Sequence, residues 1–128
     1  MLTRQVILAL ALGGVAAALV ACGGGPATPT EGGADYSVQL LGLGSGDYRF
    51  DPKDLTLTSG RTYTLSLTSD AEYHTWSVKN PAGGYLVDSQ VLPKETKIVQ
   101  FTAPAAGTYE VVCIPHVAQG MTGTLTVR

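Results

Sequence analysis

A thiol, an imidazole and a thioether lie close together near the C-terminus of this sequence. Cys113, His116 and Met121 are separated by two and four residues, so nine consecutive positions carry three side chains that bind soft metal ions. A second imidazole, His74, lies upstream in the sequence Glu-Tyr-His-Thr-Trp. Two histidines and a cysteine thiolate, with a weak axial thioether, form the ligand set of a blue copper electron-transfer site. The four residues are therefore candidate ligands for one copper ion.

The chain has no spare side chain of these three types. It contains two histidines, two cysteines and two methionines, of which Met1 is the initiator and Cys22 belongs to an N-terminal leader. Taken singly, each candidate has an ordinary explanation, since a lone cysteine is most often a small buried hydrophobe. A disulfide between Cys22 and Cys113 is a further alternative, which lipidation of Cys22 would exclude. The joint spacing favours a metal site over these separate explanations.

The run from Cys113 to Met121, with the alternating stretch 122–127 after it, resembles the last loop and last strand of the small blue copper proteins, the cupredoxins. The Cys-x2-His-x4-Met spacing is similar to that of plastocyanin and pseudoazurin. The resemblance covers roughly residues 35–128. It implies a Greek-key β-sandwich that carries single electrons on one type 1 copper ion, alternating between Cu(I) and Cu(II). The ligands that it implies are His74, Cys113, His116 and Met121.

Apolar and polar residues alternate with period two from residue 35 onward, as expected for half-buried strands. Tyr63, Leu65 and Leu67, for example, alternate with threonine and serine. Clusters of glycine and proline separate the alternating runs, and no stretch predicts a long amphipathic helix. Roughly seven or eight short strands in residues 35–128 predict an all-β, antiparallel sandwich.

The first 22 residues have the pattern of a bacterial lipoprotein signal. Arg4 supplies a positive charge, and Val6 to Val20 form an uncharged apolar run that is short for a membrane span. The run ends in Leu-Val-Ala-Cys, which resembles a lipobox and implies a diacylglyceryl group on Cys22 and cleavage before it. An uncleaved N-terminal anchor is the alternative. Both predict an extracytoplasmic protein held at a membrane, on the periplasmic face or the cell surface.

Composition predicts how the rest of the chain is divided. We expect residues 1–21 to be the signal peptide, 22–34 a lipidated cysteine with a flexible Gly/Pro/Thr linker, and 35–128 the cupredoxin domain. The linker has no large apolar side chain with which to form a core. The formal net charge of −2 gives no basic surface for nucleic acid, and we expect a monomer.

The resemblance also makes predictions about the surroundings of the ligands. The residue after the first histidine ligand is commonly asparagine in plastocyanin and azurin, where it ties the two ligand loops together; here it is Thr75, whose hydroxyl could make a similar bond. By resemblance, His116 lies at the surface within an apolar patch of Pro115, Val117 and Ala118. Redox protein partners would dock there.

Three other functions are compatible with a cupredoxin fold. A multicopper oxidase places histidines on both sides of the cysteine, where this chain has Val112 and Ile114; a dinuclear copper site needs a second cysteine at the position of Val117. The chain is therefore not expected to be an enzyme. An adhesion or scaffold domain without metal would have no need for four intact ligands. A copper-binding or copper-delivery protein using the same site stays open as the alternative.

Overall fold

The computed structural model describes residues 34–42 and 46–128, and this part of the chain forms a two-sheet β-sandwich. The predicted signal peptide, most of the predicted linker and Cys22 lie outside the described residues. Within the described ranges no helix is long and apolar enough to cross a membrane. The elements are β1 (Tyr36–Leu41), β2 (Arg49–Asp51), β3 (Asp54–Leu57), β4 (Thr62–Ser69), β5 (His74–Lys79), β6 (Tyr85–Val91), β7 (Thr96–Thr102), β8 (Gly107–Val112), a 3-10 helix (Ile114–Gln119) and β9 (Thr122–Val127).

The strands form a four-stranded sheet in the order β2-β1-β4-β7 and a five-stranded sheet in the order β3-β9-β8-β5-β6. This confirms the all-β sandwich. The described residues form nine strands, and two pairs, β1 with β4 and β3 with β9, run parallel rather than antiparallel. Apolar and polar residues alternate with the same period in parallel and antiparallel pairs, so the alternation does not reveal strand direction. Direction depends on the connections, and here β2 and β3 separate β1 from β4 along the chain.

The alternating residues lie where the sequence predicts, with one set of side chains between the sheets. Strand β4 shows this most clearly, because Tyr63, Leu65 and Leu67 are buried and the threonines and serine between them are not. Trp76 is also part of this core and packs edge-on against Phe101, with ring centroids 5.7 Å apart. The core therefore supplies a rigid support for the loops at its ends.

One end of the five-stranded sheet brings the candidate ligands together. Strands β5 and β8 are antiparallel neighbours with Ser77 opposite Val112, so the start of β5 and the end of β8 lie at the same end of the sheet. His74 begins β5 and Cys113 follows β8, so both residues belong to this end. Strand β9 pairs with β8 and begins after Met121, which returns the loop to the same end of the sandwich.

Candidate metal centre

Three of the predicted ligand atoms form a small triangle. Sγ of Cys113 lies 3.7 Å from Nδ1 of His74 and 3.5 Å from Nδ1 of His116, and the two Nδ1 atoms are 3.2 Å apart. A point equidistant from the three lies about 2.0 Å from each, close to the bond lengths of about 2.0–2.3 Å that nitrogen and sulfur ligands make to zinc. The arrangement fits a trigonal two-histidine, one-cysteine metal site.

The first histidine, His74, is fully buried, and a carboxyl group contacts its outer ring nitrogen. Nε2 of His74 lies 3.0 Å from Oδ1 of Asp70, and a neutral imidazole that donates Nε2–H to a carboxylate leaves Nδ1 free to bind a metal. Burial raises the pKa of Asp70, but hydrogen bonds from the Glu72 N–H, from His74 and from the Gly42 N–H outweigh it and leave this pKa below its usual value. Asp70 is therefore an anion at neutral pH.

The thiol of Cys113 is free, fully buried and directed toward both imidazoles. Burial raises its pKa above the ordinary value, while hydrogen bonds from the backbone N–H groups of Thr75 and His116 oppose that shift. The Thr75 N–H lies 3.3 Å from the sulfur. Without metal the thiol is therefore protonated at neutral pH, and the N–H groups are in place to stabilise the thiolate that a metal binds.

The loop after Cys113 is a short 3-10 helix rather than an irregular turn, which the sequence did not predict. Pro115 lies in its first turn, where a missing N–H and a fixed φ are tolerated. The helix ends at Gly120, whose φ of 88° lies in the left-handed region that glycine adopts without strain. The Met121 N–H donates to the His116 carbonyl, and the Cys113 N–H donates to the Met121 carbonyl. These bonds hold the three candidate ligands of the loop together.

The side chain of Met121 is fully buried in the core at this end of the sandwich. Its backbone is hydrogen-bonded to both His116 and Cys113, which fixes Met121 within the loop that carries two of the three ligand atoms. Its role as the axial ligand stays a prediction from the spacing.

The second histidine is less exposed than the sequence predicts. The side chain of His116 is only 14% exposed, because the ring of Tyr48 packs against its own ring with centroids 4.4 Å apart. Burial, and then the nearby His74, lower the pKa of His116 in the metal-free protein, so this imidazole is neutral at neutral pH. The neighbouring Pro115, Val117 and Ala118 are exposed, as expected.

Thr75 links the two ligand-bearing segments through its hydroxyl. Its Oγ1 accepts a hydrogen bond of 2.9 Å from the Ile114 N–H, and so ties β5 to the loop that carries Cys113. The hydroxyl of Ser77 lies 2.9 Å from the Thr75 oxygen and 2.7 Å from Oδ1 of Asp88. With a single proton, Ser77 donates to the carboxylate and accepts from Thr75, so every member of this small chain has a partner.

Sequence reasoning missed several residues around the site. Asp70 and Glu72 precede His74 by four and two positions, and these two carboxylates close to a histidine were the signal that could have identified them. Tyr48 gave no such signal, because it reaches the site through the fold. Gly42 is required by close packing, since a Cβ at this position would collide with the ring of Tyr48 and lie 3.2 Å from Cε1 of His74.

Comparison with known proteins identifies the family to which this site belongs. The pattern described as copper binding proteins, plastocyanin/azurin family, matches residues 37–128. The match covers most of the chain and includes all four predicted ligands, and the chain therefore belongs to this family. Its cofactor is one copper ion, which the two imidazoles and the thiol described above fit.

Individual relatives agree with this assignment. The chain is 32% identical over 98 residues to halocyanin of Natronomonas pharaonis, covering 77% of this chain but only 60% of halocyanin. It is 30% identical to auracyanin-A of Chloroflexus aurantiacus, with 98% of this chain and 97% of the relative covered. The crystal structure of reduced auracyanin from Roseiflexus castenholzii is 25% identical with a TM-score of 0.62, covering 75% of this chain and 99% of that one. The family is one of copper-based electron transfer.

Proposed function

We propose that this protein is a type 1 blue copper protein that carries single electrons between extracytoplasmic, membrane-associated redox partners. The observation that carries the proposal is the triangle of His74, Cys113 and His116 ligand atoms around one point. These three residues would hold the copper ion, and Met121 would add a fourth, weaker ligand. Family membership supports copper as the metal.

The residues around the site act by holding the ligands in fixed positions. The bound copper supplies a one-electron Cu(II)/Cu(I) couple. Cys113 loses its proton when the metal binds, and backbone N–H groups stabilise the resulting thiolate. Thr75 and the loop hydrogen bonds fix the spacing of the ligands. A site that is already assembled needs little rearrangement when its charge changes by one unit.

Redox partners would dock at the loop end of the sandwich, beside His116. Among the described residues, Ile114 and Val117 are exposed apolar side chains on either side of this histidine. A small apolar surface with few charges suits a transient complex that forms and separates quickly. The identity of the electron donor and acceptor is not part of the proposal.

Membrane attachment would come from a lipid on Cys22, which precedes the described domain in the sequence. The support is the leader sequence alone, with its apolar run and Leu-Val-Ala-Cys ending. In the producing bacterium, labelled palmitate should enter the wild-type chain and be absent from a Cys22→Ala variant. Equal labelling of the two chains would contradict the anchor without affecting the copper site.

The visible absorption spectrum tests the copper site. The purified, metal-free chain is given one equivalent of Cu(II), and we expect an intense blue thiolate-to-copper band that ascorbate bleaches and reoxidation restores. A pale complex would show that Cys113 is not a ligand and would contradict the proposal. A blue complex that quickly loses Cu(I) to a mild chelator would favour copper delivery over electron transport.

A further inference from the structure

The turn between β4 and β5 places one carboxylate near the outer nitrogen of each imidazole. Asp70 and Glu72 lie in this turn, four and two residues before His74. Oδ1 of Asp70 is 3.0 Å from Nε2 of His74, and Oε2 of Glu72 is 3.8 Å from Nε2 of His116. Both imidazoles direct Nδ1 into the triangle of ligand atoms, so both Nε2 atoms point away from it and toward a carboxyl group.

Asp70 is held firmly in this position. Its Oδ2 accepts a hydrogen bond of 2.7 Å from the Gly42 N–H, and its Oδ1 accepts one of 3.0 Å from the Glu72 N–H. The carboxylate therefore bridges the end of β1, the turn and the first histidine. These hydrogen bonds fix its orientation, and it holds the proton of His74 on Nε2.

Glu72 is directed toward the second histidine by two contacts. Its Oε1 accepts a hydrogen bond of 3.2 Å from the Tyr48 hydroxyl, and the Tyr48 ring packs on His116. Its Oε2 is buried and has no hydrogen-bond partner within the described ranges. An unpaired buried oxygen is costly, and the donor that it faces is Nε2–H of His116.

We infer that Asp70 and Glu72 are positioning residues that orient the two imidazoles and favour the oxidised state of the site. With a thiolate ligand the site carries one more positive charge as Cu(II) than as Cu(I). Two nearby carboxylates stabilise the more positive state, and they are screened only in part because neither side chain is fully exposed. The inference rests on the proposed copper site and adds the residues that set its reduction potential.

The test is the reduction potential of charge-removing variants with nearly unchanged shape. Asp70→Asn should lower the ratio of Cu(II) to Cu(I) affinity about tenfold, which raises the potential by about 59 mV. Glu72→Gln should lower the same ratio about threefold, since its distance to the imidazole is longer. The matched control is Asp35→Asn, which also removes a carboxylate that accepts a backbone N–H, but at the start of β1, at the opposite end of the sandwich. The control should change the ratio less than twofold.

The outcomes separate this inference from the proposed function. If the wild-type chain gives no blue absorption band with Cu(II), the proposed function itself is contradicted. Suppose that the wild type gives the blue band but its variants keep the wild-type reduction potential, or lose affinity for Cu(I) and Cu(II) by the same factor. The two carboxylates would then have a purely structural role, which would refute the inference and leave the proposed function intact. If Asp70→Asn does not fold, Glu72→Gln decides the matter, because glutamine can keep the Tyr48 hydrogen bond and an unchanged potential would then refute the inference.

Discussion

The two segments that form the metal site hold their ligands in different ways. The turn before β5 carries one ligand, His74, which is fully buried and fixed by side-chain contacts from Asp70. The loop from Cys113 to Met121 carries the other candidates and is fixed mainly by backbone hydrogen bonds around a 3-10 helix. The first segment is thus sensitive to side-chain chemistry, whereas the second depends on its length and shape.

The contrast explains why one imidazole is deeply enclosed and the other lies near the surface. His74 begins a central strand and has the core on one side and an anion on the other. His116 lies in the loop, where Tyr48 packs on its ring, Glu72 lies near its Nε2, and exposed apolar residues flank it. A metal site of this kind has a rigid inner ligand and an outer ligand within reach of a partner.

The largest expected effect comes from removing the ligand that both segments contact. Cys113→Ser should abolish the blue band, because a serine hydroxyl does not provide the thiolate that the band requires. The visible spectrum after Cu(II) addition is the measurement. Met121→Leu is the matched control and should keep the band while raising the potential. A strong blue band in Cys113→Ser would refute the ligand assignment.

Replacing each histidine by glycine should separate the inner ligand from the outer one. Added imidazole should restore the blue band in His116→Gly, because this side chain is 14% exposed and its removal opens a gap to solvent. It should not restore the band in His74→Gly, because that side chain has no exposure and added imidazole has no open path to the gap. Titration of both variants with imidazole measures this, and equal rescue would contradict the contrast.

The link between the two segments can be broken at Thr75. Thr75→Val removes the acceptor of the Ile114 N–H and should lower the free energy of unfolding of the metal-free protein by about 1–3 kcal/mol. Thr75→Ser keeps the hydroxyl and should retain most of the stability. Urea denaturation of the three proteins gives the values. Equal stability of the valine and serine variants would show that the bridge contributes nothing.

The smallest expected effect is the pH dependence of copper binding, which reports on the loop segment. The pKa of Cys113 is raised and that of His116 is lowered, so near neutral pH the Cys113 thiol must lose a proton when Cu(II) binds, whereas His116 is already neutral. The apparent association constant should therefore rise about tenfold from about pH 7 to about pH 8. A chelator competition series measures it, and an affinity independent of pH would mean that the thiol is already ionised.

Much of the fold could be predicted from local sequence, because alternation has a direct physical cause. Each buried residue of β4 is two positions from the next, and the strand places them on the core side without help from distant residues. The parallel pairing of β1 with β4 could not be predicted in this way. It depends on which strand edges are free after the chain has crossed between the sheets, and the residue pattern does not record that.

The candidate site also combines features that the local sequence determines with features that only the fold determines. The sequence by itself determined the ligand types and the spacing of Cys113, His116 and Met121, because the loop is short enough for spacing to control geometry. The sequence also indicated His74, the remaining histidine, but only the tertiary structure decided the distances within the triangle, that Tyr48 covers His116, and which carboxylate faces which imidazole. These contacts join residues far apart in the chain, and their distances are set by how the two sheets pack and not by any local pattern.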